Sequence, residues 1–271
     1  MILACRRLLA ASGQSTPPIR LQELLPHINA RKVERDIATP GLLEVHGNTY
    51  VVVVRKGIHW RRQRFTIAHE LGHILLLNAL VQTPSLLVAL RAPEHWAQTE
   101  RLCNLAAAEL LIPQVDLLRE LQKIQFSSRR LLQFYDRYMT SFTPLFIRLS
   151  EVLPGSSVTL WRKHARHPHE PEALRVVSCI RHKDGAWLPT GLTTKHLNPP
   201  LVEFALERGE ATDAAVEFKL GGRCTRHDGV AIRFPLRRSA LSLPLPMLGD
   251  SRVPDEDKRG FDVFLLLKPT N

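Results

Sequence analysis

Cysteine, acidic charge and long apolar runs are all in short supply in this chain. Its four cysteines among 271 residues show no C-x-x-C spacing, which suits a reducing cytoplasm. The most apolar stretch, residues 73–90, is interrupted by Asn78, Gln82 and Thr83-Pro84, so a transmembrane helix is not expected. Ile2-Leu3-Ala4-Cys5 has the outline of a lipoprotein cleavage site, but without a basic segment or a useful apolar core before it, and is dismissed. Asp and Glu number 26 against 37 Lys and Arg, a formal net charge of +11. That excess implies attraction to polyanions, either nucleic acid in weak contact or an acidic protein surface. Hydrophobic content of 44% and charged content of 23% are those of a globular chain, long enough for one large or two ordinary domains.

The most informative stretch is His69-Glu70-Leu71-Gly72-His73, an H-E-x-x-H motif. Phe65, Ala68, Leu71, Gly72 and Leu75 recur at helical spacing, and Ile74, Leu76 and Leu77 widen the apolar surface, so the spacing predicts a buried helix. Histidines four apart share one face and can point at one ion. Two neutral imidazoles make half of a zinc site, and Glu70 is placed where a general base for hydrolysis belongs. The competing reading, a surface helix with solvated histidines, fits poorly with so apolar a segment.

A catalytic zinc needs a third protein ligand and an open position. A second helical pattern runs over residues 99–112 and stops at Pro113. Glu100 and Asn104 are i, i+4 neighbours on it: the carboxylate suits a metal, the amide suits orienting a ligand. Glu109 is the rival, nine positions on and roughly on the opposite face, so only one of the two can meet the histidines. Cys103 reads either as a soft fourth ligand, which would close the site, or as a small buried hydrophobe.

Arg64-Phe-Thr-Ile-Ala-His-Glu-Leu-Gly-His, followed by Glu100-x3-Asn104-x-Ala-Ala-Ala-Glu-Leu-Leu-Ile-Pro113, resembles the ImmA/IrrE family of metallopeptidases. The family pattern is approximately R-F-T-x-A-H-E-L-G-H and then E-x-x-A-N-x-F-A-A-x-L-L-M-P. Cys103, Ala106 and Ile112 depart from it at packing positions. The resemblance, specific between about Val45 and Pro113, implies zinc ligands His69, His73 and Glu100 and a catalytic Glu70. Asn104 is expected to orient a ligand. It further implies site-specific cleavage of a DNA-binding helix-turn-helix repressor, in a stress or mobile-element response that regulates transcription. Candidates for an oxyanion-stabilising group are His59, His95 and Tyr50.

The expected fold class is α+β. A zincin-like helical peptidase core with a small β-sheet spans residues 1–113, a helix-turn-helix-like helical segment 114–154, and an α+β C-terminal domain 155–271, compatible with a GAF-like sensor. Residues 21–37 carry mixed helical signals bracketed by Pro17-Pro18 and Pro40-Gly41. Residues 42–54 read as a β-hairpin turning at His46-Gly47-Asn48. By analogy with other zinc peptidases, residues 50–54 or the neighbouring strand form the substrate-binding edge. A third helix of the middle segment is expected to start at Pro144, and its first residues offer no side chain suited to base readout. Short β-type runs recur after residue 156, with one helix at 199–208. His164, His167 and His169, and Cys224 with His227, invite a second metal site but read better as solvated loop histidines. Two other classes stay open: a non-catalytic zinc-binding regulator and a DNA-binding transcription factor. The sequence leaves the oligomeric state undetermined.

Overall fold

The computed structural model describes residues 1–81, 95–123, 127–163, 174–193, 212–220, 223–235 and 261–269. It divides into two units: Met1–Lys123 with Phe134–Leu145, and Ile124–Gln133 with Phe146–Asn271. The fold is α+β, with helices and two sheets. Among the described residues no helix is long and apolar enough to cross a membrane.

The first unit starts with α1 (Ile2–Ala11), a short α2 (Leu21–Leu24) and a 3-10 turn (Leu25–Ile28). A three-stranded sheet follows: β1 (Ala30–Arg35), β2 (Gly41–His46) and β3 (Thr49–Arg55), in the order β1-β3-β2. The hairpin forms as expected. Gly47 takes φ +58 at its tip, a conformation that glycine adopts without strain. β1 is a difference from the sequence reading. Only Val33 interrupts its charged run, so it carries no clear alternation, and it becomes a strand by pairing in parallel with β3 (Val33 opposite Val53). Val51 to Val54 are fully buried, as a β-branched central strand should be.

Packed on this sheet is α3 (Trp60–Val81), the histidine helix. His59 starts it: its Nδ1 accepts the Arg61 N–H at 3.3 Å and its carbonyl accepts from Arg62 and Gln63. α4 (Trp96–Leu111) lies along α3 and ends where Pro113 can no longer continue it. Gly72 makes this contact close. A Cβ there would stand 3.0 Å from Ala106 Cβ and from the Cys103 backbone. On its other side α4 receives α1, through the Arg6–Glu109 ion pair at 2.9 Å and the Cys5 thiol directed at the Ala106 carbonyl.

Three helices form the middle segment: α5 (Gln114–Lys123), α6 (Ser128–Arg137) and α7 (Phe142–Val152). α7 begins two residues before Pro144, so the proline sits in the first turn, where its missing N–H costs nothing. Within the first unit, buried Asp116 takes a forked pair from Arg137 (2.9 and 3.2 Å) and a hydrogen bond from the Tyr138 hydroxyl (3.0 Å). Arg61 and Arg64 reach from α3 to this segment. Arg61 stacks on Tyr135 at 3.7 Å and donates to the Tyr135 and Thr140 carbonyls. Arg64 donates to the carbonyls of Met139 and Ile19. The basic run at 61–64 is thus partly consumed by internal ties.

The second unit holds a five-stranded antiparallel sheet. Its strands are β4 (Ser157–Lys163), β5 (Leu174–Arg181), β6 (Thr212–Leu220), β7 (Arg223–Pro235) and β8 (Phe261–Pro269), in the order β5-β4-β8-β7-β6. One face gathers Trp161, Leu174, Val176, Val216, Ala231, Leu265 and Leu267 into a core. Val158, Leu266 and Val230 sit in one cross-strand row and are buried too. The β-type runs expected after residue 156 fall on β4 to β8, apart from Leu236, which lies outside the described residues. Cys224 and His227 belong to β7 rather than to a loop, and burial lowers the basicity of His227. His164, His167, His169 and the expected helix at 199–208 lie outside the described residues.

Candidate metal centre

α3 presents His69 and His73 one turn apart, and α4 brings Glu100 to meet them. His69 Nε2 is 3.3 Å and His73 Nε2 3.4 Å from the Glu100 carboxylate oxygens. The two Nε2 atoms are 3.2 Å from each other. One ligand atom from each of the three residues lies within 4.8 Å of the other two. His69 Nδ1 donates to Asn104 Oδ1 at 3.0 Å, which fixes the tautomer and leaves Nε2 with its lone pair facing inward.

The donor set fits zinc chemically. Two imidazole lone pairs and a carboxylate converge on one point, and two nitrogens facing each other at 3.2 Å need a proton or an ion between them. The charges agree. Burial opposes the positive charge on His69, yet its hydrogen bond to Glu100 and the nearby Glu70 and Glu100 carboxylates outweigh burial and raise its pKa. Burial would raise Glu100 as well, but the hydrogen bonds from His69 and His73 win and hold it at about 2. Burial drives Glu70 the opposite way, upward, against the pull of the two histidines. The two neighbouring carboxylates are thus pushed in opposite directions, Glu100 toward its charged form and Glu70 toward its neutral one.

Among the described residues no other histidine, cysteine or acidic candidate belongs to this cluster. Glu109 is buried against Arg6, away from the histidines. Cys103 packs with Leu76 and Leu80 and is not part of the three-residue cluster; burial, with the negative charges of Glu100 and Glu70 beside it, pushes its thiol pKa up. His59 caps α3 ten residues before His69, roughly 15 Å along the axis. The Tyr50 hydroxyl donates to Asn78 Oδ1 at 2.8 Å. His95 opens α4, and among the described residues its buried Nδ1 has no hydrogen-bond partner. Gly41, read in the sequence only as a breaker beside Pro40, lies beside Glu70: a Cβ built on it would stand 2.8 Å from Glu70 Oε1. Its signal, a glycine beginning an otherwise β-branched and leucine-rich hairpin, carries no hint of a helix twenty-nine positions away.

An H-E-x-x-H helix on a small sheet, completed by a carboxylate from the next helix, is the arrangement of the metallopeptidase class. Residues 27–142 match the family model of the IrrE N-terminal-like domain. The radiation response metalloprotease IrrE of Deinococcus radiodurans is 30% identical over 104 residues. Those residues are 38% of this chain and 32% of that protein, so the match spans about a third of the curated relative. A solved Mycobacterium tuberculosis transcriptional regulator superposes with TM-score 0.60 over 98% of this chain and 76% of its own. At 16% identity that likeness shows a shared fold alone.

Proposed function

We propose that this protein is a zinc-dependent endopeptidase that cuts a helix-turn-helix repressor at a specific site. The observation that carries the reading is the convergence of His69, His73 and Glu100 with the buried Glu70 beside them. Zinc, when bound, supplies a Lewis acid and acidifies water. The chain's own residues do the rest. His69, His73 and Glu100 hold the ion, and Asn104 orients His69. Glu70, its carboxyl raised by burial, accepts the proton from the attacking water and passes it to the leaving amine.

The sheet offers the substrate one usable edge. β3 is paired on both sides and is no edge at all. The free edge of β1 carries Arg31, Lys32, Glu34 and Arg35, the charges that discourage strand addition. β2 has one acidic residue and exposes Leu42 and Val45, and its first residue lies against Glu70. An extended substrate segment pairs there. A repressor as substrate, action in the cytoplasm and a role in stress-linked transcription draw on the family resemblance. The net charge of +11 suits an acidic or DNA-bound target.

The test is the zinc-loaded protein and its Glu70→Gln variant, each incubated with a library of proteome-derived peptides, with new termini read by mass spectrometry. The variant should keep its zinc and lose the cleavages, by about 100-fold or more. Equal cleavage by both, or none by the parent, overturns the reading.

A further inference from the structure

The motif explains why Glu70 is a glutamate; it does not explain what holds the carboxylate in place. Among the described residues no hydrogen bond is made to the Glu70 side chain, although it is buried. Across the sheet–helix interface it lies beside the first residue of β2. A Cβ built on Gly41 would stand 2.3 Å from Thr66 Cγ2 and 2.8 Å from Glu70 Oε1. Carbon atoms in contact prefer about 3.5–4.0 Å, so any side chain here forces Thr66 or Glu70 to shift. Gly41 is not among the residues of positive φ, so its backbone does not require glycine. What requires it is the closeness of α3.

Thr66 and Glu70 are one helical turn apart on the α3 face that meets β2, and both are buried. They would respond differently to an intruding methyl. Thr66 is β-branched and stiff at χ1. Glu70 has three rotatable bonds and yields first. We propose that Gly41 is a positioning residue for Glu70: its missing side chain is the slot in which the proton-carrying carboxylate lies, next to the backbone of the edge strand. The inference rests on the peptidase reading, and it makes the edge strand and the general base a single unit.

The experiment uses full-length Gly41→Ala, Thr66→Ser, the double variant and Glu70→Gln. Thr66→Ser deletes the methyl that would clash at 2.3 Å and leaves the contact with Oε1 at 2.8 Å. The readouts are the thermal midpoint, bound zinc, the visible spectrum of the cobalt-substituted site, and kcat and KM on a peptide the parent cleaves. Gly41→Ala should lower the midpoint, and adding Thr66→Ser should restore it. The double variant should bind zinc as the parent does, lose about tenfold or more in kcat with little change in KM, and shift its cobalt spectrum toward that of Glu70→Gln. A double variant with the parent's kcat and spectrum overturns the assignment, as does one whose lost activity follows lost zinc. If Glu70→Gln itself matches the parent in rate and spectrum, the peptidase reading has failed, and the role of Gly41 falls with it.

Discussion

Glu100 and Glu109 sit nine positions apart on α4 and meet different chemistry. Glu100 turns to the two imidazoles, which hold it ionised at about 2. Glu109 is buried and receives Arg6 at 2.9 Å, with the Gln114 N–H also directed at its carboxylate. The two truncations should therefore separate. Glu100→Ala is expected to leave little bound zinc after dialysis while the fold persists. Glu109→Ala should bind zinc normally and lose about 1 kcal/mol or more in urea denaturation, since Arg6 is partly exposed and can resolvate. Elemental analysis and denaturation of both variants check this; equal zinc contents would show that the wrong carboxylate is in the site. The residue types of the site were legible in the chain, because a histidine spacing of four is a statement about one helix face. The choice between two glutamates was not settled by spacing alone, and only the packing of α4 on α3 displays it.

Between elements, the closeness of α3 and α4 depends on Gly72. Alanine in its place would favour the helix by about 1 kcal/mol. Its methyl, however, would lie 3.0 Å from Ala106 Cβ and from backbone atoms of Cys103, which cannot move without moving α4. Overpacking of this kind costs about 1–3 kcal/mol, so the clash should win. Gly72→Ala is expected to lower stability and, by pushing Glu100 away from the histidines, to weaken zinc binding about tenfold or more. Chemical denaturation of the metal-free protein and a competition titration with zinc measure the two effects; unchanged affinity would mean that the helix spacing does not set the site. The hairpin was readable for the opposite reason to β1. β2 and β3 are joined by a two-residue turn and define each other locally. β1 depends on a parallel partner whose strand begins fourteen residues after its own ends, and its charged side chains carry no alternation.

On the scale of the whole chain, the two compact units have separate cores: a helix–sheet core around Val51–Val54 and α3, and the face of the five-stranded sheet around Trp161. A metal held by α3 and α4 cross-links only the first. Ligand binding stabilises a native state by about 2.7 kcal/mol at a free concentration one hundred times Kd. Chelation should therefore lower the unfolding temperature of the first unit by several degrees and leave the unfolding of the second where it was. Calorimetry with and without zinc, with limited proteolysis to assign the transitions, checks this. A chelator that shifts neither transition would argue against a structural cross-link.

The amino-acid sequence by itself determined whatever depends on neighbours along the chain: the shared face of His69 and His73, the place of Glu70 between them, the hairpin and its glycine turn, and the β-runs of the C-terminal half. Helical and strand periodicities are local geometry, so a linear reading suffices. Tertiary structure decided what depends on rotation and distance between elements. It turned Glu100 and not Glu109 toward the imidazoles, drew Arg61 and Arg64 into internal ties, put β3 at the centre of its sheet and β2 at an edge, and set Gly41 against Glu70. Those relations are made by packing between segments dozens of residues apart, where no spacing rule reaches.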